Sequence, residues 1–211
     1  MKGTRKIIKI VCASLVFLVF FAIIARIMFS QYCPSSVSNL YYTDALREYY
    51  NENGGILPKT QNIRYYYGSR NKGAFFADKL IFEEGAGNLQ VVLKYNDSAL
   101  DTVSNFYSCD ALTPGPGLFT YKLFAYTGND ENGDATGRTY DTSATVYDSV
   151  WFYNYEKAVF DGMDFTDVKW IEVDIYLKGK DEVFSSIIIY ENNESFSYFS
   201  DYKLSSTEKL K

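Results

Sequence analysis

The chain contains no histidine. That absence removes Ser-His-Asp and Cys-His catalysis, imidazole-bound zinc, and the commonest general base near neutral pH. There is also no C-x-x-C pair, no G-x-x-x-x-G-K-[ST] loop and no strand-linked G-x-G-x-x-G, so no cofactor is expected. Proline is scarce, with four residues in 211, and no Ser/Gly-rich or repeated tract occurs. A stalk or a second exported domain is therefore not expected. Acidic residues are missing altogether from positions 1–30, which hold five of the 21 basic ones.

What fills those first positions is the strongest signal in the chain. A basic leader with Lys2, Arg5, Lys6 and Lys9 opens onto an apolar run from Ile10 to Ala25, closed by Arg26. Residues 7–29 as a helix span roughly 35 Å, enough for a hydrocarbon core of about 30 Å with some tilt. Four basic residues precede the run and one follows it. The positive-inside bias thus predicts a cytoplasmic N-terminus, a single pass through the plasma membrane and an extracytoplasmic C-terminal part. A cleaved secretory signal shares the basic start and apolar centre. The possible processing sites put Ile23 or Met28 three residues before the cut, where a small residue is wanted, so a retained signal-anchor is the preferred reading.

Beyond residue 30 lie 26 acidic and 16 basic residues, a formal charge of −10. Nucleic acid is excluded as a partner on this ground, because phosphate affinity depends on Lys and Arg. The same segment holds all 20 Tyr, 12 of the 16 Phe and both Trp, residues suited to pleated, half-buried surfaces. Ser36–Asn53 carries Val37, Tyr41, Ala45 and Tyr49 at i+4 spacing, which predicts one amphipathic helix stopped by Gly54-Gly55. Strands are predicted at Ile63–Tyr67, Ala74–Glu83, Asn88–Tyr95, Leu118–Thr127, within Ala144–Phe160, at Val168–Lys178, Val183–Tyr190 and Phe196–Tyr202. Ser98-Ala-Leu-Asp101 resembles a capping box opening a short inserted helix, Ser98–Tyr107.

The fold class expected is all-β, an antiparallel β-sandwich with a lipocalin-like barrel as the alternative, bearing one N-terminal amphipathic helix and one short inserted helix and preceded by the membrane helix. The division expected is leader and span 1–30, membrane-proximal segment 31–61, β domain 62–204 and a polar tail 205–211. In layout alone the chain resembles small membrane-anchored proteins of Gram-positive bacteria with all-β extracellular domains; no motif in it names a family.

Candidate sites follow from the few residue types left. Tyr65-Tyr66-Tyr67 and the run containing Trp151 and Tyr153 must each turn at least one aromatic outward unless both sheet faces are covered, and they are the ligand-binding candidates. Asp161, Asp164 and Asp167 are spaced by three in a loop and could offer oxygens to a hard cation. Gly128–Asp134 half-matches a calcium loop, but Gly128 stands at its first position and Thr139 at its twelfth, so it reads as a hairpin turn. Cys33 and Cys109 could pair in an oxidising compartment, closing a loop of about 76 residues worth roughly 4–5 kcal/mol in the chain-entropy model; two thiols are the alternative. No catalytic residue is assigned. The function expected is a non-enzymatic binding module at the cell envelope, with glycan, peptide or a partner membrane protein as ligand. The alternatives are a carboxylate hydrolase of surface polysaccharide, using Glu172 and Asp174 on one strand face, and a structural accessory subunit of a membrane complex.

Overall fold

The computed structural model describes residues 2–30, 32–53, 59–62, 67–68 and 74–190. The chain divides into two units, Met1–Cys33 and Pro34–Lys211. The first is one helix, α1 (Lys2–Ser30). Within it Lys9–Met28 is long and apolar enough to cross a membrane, and its Leu, Val, Ile and Phe side chains are exposed along their length.

The second unit starts with two short helices, α2 (Ser35–Ser38) and α3 (Asp44–Glu52). The single helix expected over 36–53 is therefore broken. Residues 39–43 take no helical conformation, because the Tyr41 backbone bonds across to a sheet and the Thr43 side chain caps α3 by accepting from the Leu46 N–H. Then come β1 (Lys59–Asn62), β2 (Tyr67–Gly68), β3 (Phe75–Glu83) and β4 (Asn88–Tyr95). The inserted helix α4 (Asp97–Tyr107) starts one residue before the expected Ser98. Its cap is Asn96, whose side-chain oxygen accepts from the Ala99 N–H at 3.1 Å. The remaining strands are β5 (Phe119–Asn129), β6 (Ala135–Asp141), β7 (Ala144–Val150), β8 (Tyr153–Phe160), β9 (Trp170–Leu177) and β10 (Ser185–Tyr190). The strand expected at 196–202 lies outside the described residues.

Two antiparallel sheets result, in the orders β1-β3-β4-β8-β7 and β2-β10-β9-β5-β6. They do not close into a barrel, so the arrangement is sandwich-like and the lipocalin-like alternative falls. Period-two alternation sets each inner face. Leu89, Val91, Leu93 and Tyr95 of β4 meet Tyr121, Leu123, Ile171, Val173 and Ile175 of the opposite sheet in one core. In β3 the parity changes at a bulge between Ala77 and Lys79. Phe75 and Ala77 before it, and Leu80 and Phe82 after it, consequently all reach the same core. An aromatic cluster ties the two sheets together. The Phe75 ring lies 4.9 Å from Tyr95, 5.0 Å from Phe119 and 6.0 Å from Phe184.

The outer face of the first sheet is covered by the segment that follows Cys33. Val37 and Leu46 are fully buried, together with Ile81, Val92, Tyr155 and Val159, whose strand positions alternate with the inner-facing ones. Polar side chains fasten this strap. Gln90 acts as a substitute peptide group: its oxygen accepts from the Tyr41 N–H at 2.9 Å and its amide donates to the Tyr41 carbonyl at 2.7 Å. Lys79 donates to the Ser38 carbonyl at 2.7 Å, and the buried Lys157 ammonium donates to the Asn39 carbonyl. Gln90→Ala is expected to cost about 1–3 kcal/mol, since it strips the partners from two backbone groups. Amide exchange should read this locally, with the Tyr41 N–H losing protection while strand β9 keeps it.

Candidate functional site

The β7–β8 hairpin turns in only two residues, with Val150 and Tyr153 paired across it and Trp151-Phe152 at the tip. Positive φ at the start of such a turn favours Gly, which has no Cβ, or Asn, whose short side chain can hydrogen-bond the local backbone. Here Trp151 occupies that position at φ 57°. Its side chain is 70% exposed and that of Phe152 is 55% exposed. The two rings lie 6.0 Å apart and are tilted by 58°. Tyr153, the next residue, is half-buried with the Lys94 ammonium 4.1 Å from its ring centre. Conformational strain and apolar exposure thus fall on the same residue, a combination that folding alone does not favour.

Of the expected aromatic candidates, Trp151 and Tyr153 therefore meet at one tip. Tyr65 and Tyr66 lie outside the described residues, and for Tyr67 the backbone alone is described, pairing with Ile188.

The three aspartates expected as cation ligands are not brought together. Among the described residues no group of three or more His, Cys, Asp or Glu side chains is placed to hold a metal. The reason is the loop's structural role: Met163 and Phe165 are buried in the core, and Asp161 and Asp164 each have partners of their own. Asp161 accepts from Thr43 Oγ1 at 2.9 Å, Asn88 Nδ2 at 2.7 Å and Ser143 Oγ at 2.9 Å. Asp164 pairs with Arg138 at 3.1 Å and accepts from the Thr166 N–H at 2.9 Å. The Thr166 hydrogen bonds, more than the nearby Arg138 charge, hold its carboxyl below the usual range. Asp167 stands exposed at φ 59°. The half-match to a calcium loop is likewise a hairpin turn, closed by Asp130 accepting from the Asn132 and Asp134 N–H groups.

Cys33 closes the first unit and Cys109 belongs to the second. Cys109 follows α4, donates its N–H to the Ser104 carbonyl at 3.0 Å and packs half-buried on the main core.

Glu172 and Asp174 share the outer face of β9, both half-buried. Asp174 accepts a 2.5 Å hydrogen bond from Ser186 on the neighbouring strand, a lateral tie within the sheet.

The carboxyl with the most altered chemistry is one that sequence reading did not single out. Glu156 faces inward from β8, opposite Leu93, and is 0% exposed. Neither of its oxygens has a partner in hydrogen-bond geometry, and the nearby Tyr95 and Tyr121 hydroxyls are equally unpartnered. Burial pushes the Glu156 carboxyl up to about 7, although the nearby Tyr121 hydroxyl and Gly117 N–H partly favour the charged form. The same burial and the Glu156 charge raise both tyrosines. Sealed between the sheets, this carboxyl has no access to a substrate and bears on stability instead. The signal was present in the alternation of Asn154, Glu156, Ala158 and Phe160 along one strand face.

The chain matches no protein-family model, and no curated protein and no solved structure matches it.

Proposed function

We propose that this is a single-pass membrane protein, N-terminus inside, displaying a non-enzymatic interaction module outside the plasma membrane. The anchor reading rests on the uncovered apolar length of Lys9–Met28 and on the basic residues massed before it. The interaction reading is carried by one observation, the strained and exposed Trp151 beside the exposed Phe152 at the β7–β8 tip. Large aromatics of this kind are where binding energy concentrates when they are covered. A photo-crosslinking residue at position 152 of the full chain, activated in intact cells, tests this. Adducts with an envelope component are expected there, above those from the same residue at Asn132, which is exposed on a polar turn. Equal, background yields at both positions would contradict the interaction reading.

A further inference from the structure

We infer that the Trp151–Phe152 tip seats in the headgroup boundary of the bilayer that α1 crosses. This rests on the anchored reading above and names the occupant of the same site.

Three observations lead to it. The first is place. Ser36 donates its hydroxyl to the Asp148 carboxylate, so the start of the second unit is fastened to β7 three residues before Trp151. Residues 29–33 alone separate the apolar stretch of α1 from Pro34, a path of about 20 Å even when fully extended. Eight residues from Met28 to Ser36 make a tether of at most about 28 Å, short enough to keep the strand that carries the tip near any bilayer that α1 crosses.

The second is shape. A two-residue tip has no walls with which to grip a peptide, and rings tilted by 58° make no flat platform for a sugar. Insertion into a soft, deformable interface requires neither. The third is chemistry. Trp and Tyr partition to the membrane–water interface, where an apolar ring body and a polar edge are both satisfied, and Phe adds buried apolar area. Between Asp148 and Asn154 the residues are Ser, Val, Trp, Phe and Tyr, with no Lys or Arg. The segment after residue 30 is acidic overall, so attraction to anionic lipid is not the driving force. Contact should be as good with phosphatidylcholine as with an anionic lipid, and insensitive to salt.

The experiment uses the full chain reconstituted into phosphatidylcholine vesicles whose acyl chains are brominated near the headgroup. Trp151 is exposed and Trp170 is 3% exposed, so subtracting the emission of Trp151→Gly isolates the tip. Glycine suits the positive φ there, and the variant is expected to melt no lower than wild type; Trp151→Phe serves as a second subtraction should it melt lower. The inference expects the Trp151 signal to fall at least twofold in brominated vesicles, to resist aqueous iodide, and to stay so in 0.5 M salt. Iodide quenching with no bromolipid effect, in a chain that alkaline extraction leaves in the vesicles, would overturn this inference alone and leave the tip to a sugar or peptide. Release of the chain by alkaline extraction would instead remove the anchored reading, and this inference with it.

Discussion

Between pH 4.5 and 7 the second unit is expected to lose about 3 kcal/mol of stability through one side chain, Glu156. Its carboxyl is raised from 4.5 to about 7 in the folded protein, and each tenfold change in proton affinity is worth about 1.4 kcal/mol. The sign follows from proton counting. In this window the folded state holds the proton and the unfolded state has released it, so raising the pH favours unfolding. The contribution is complete below about 4.5 and gone above about 7. Replacing Glu156 by Gln keeps the shape and removes the titration. Denaturant unfolding of both proteins across the range should give a stability difference that shifts by roughly 3 kcal/mol in favour of the Gln variant as the pH rises. A difference that stays flat from pH 4 to 8 would mean that the carboxyl is solvated or hydrogen-bonded in the native state.

The second large effect is expected at Phe75. Its ring touches Tyr95 on its own sheet and Phe119 and Phe184 on the other side of the core, at 3% exposure. Truncation to alanine leaves a cavity between rigid sheets that cannot collapse onto it, and should cost about 3–5 kcal/mol. Phe152→Ala provides the contrast. That ring is 55% exposed, and its loss should change unfolding free energy by less than about 0.5 kcal/mol. A Phe152 variant as unstable as the Phe75 one would show that the tip belongs to the fold and not to a contact surface.

Much of this architecture is visible in the residue pattern, and the misses have identifiable physical causes. β9 alternates cleanly because one face meets the core and the other is half-buried, and the limits of both β4 and β9 were legible to within two residues. β6 was not expected at all. Its sequence, Ala-Thr-Gly-Arg-Thr-Tyr-Asp, carries no aliphatic residue larger than alanine, because it is an edge strand with no fully buried position. The break between α2 and α3 was hidden for a different reason. It depends on Gln90, forty-nine residues away in sequence, offering the Tyr41 backbone both a donor and an acceptor, and helical spacing carries no trace of such a partner. At the site, sequence pointed to Trp151 and Tyr153 as aromatic candidates but could not place Trp151 at a two-residue turn with positive φ. The aspartate series of 161, 164 and 167 was misleading because the loop's buried residues are Met163 and Phe165, which alternate with the carboxylates and belong to the core.

Cysteine accessibility in intact cells tests whether α1 holds the β domain outside the membrane. With Cys12, Cys33 and Cys109 replaced, a single cysteine at Asn132, on the exposed β5–β6 turn, is treated with a membrane-impermeant maleimide before and after lysis. Full labelling before lysis, no increase after it, and retention of the labelled chain in the membrane fraction are expected. Labelling only after lysis would contradict that placement.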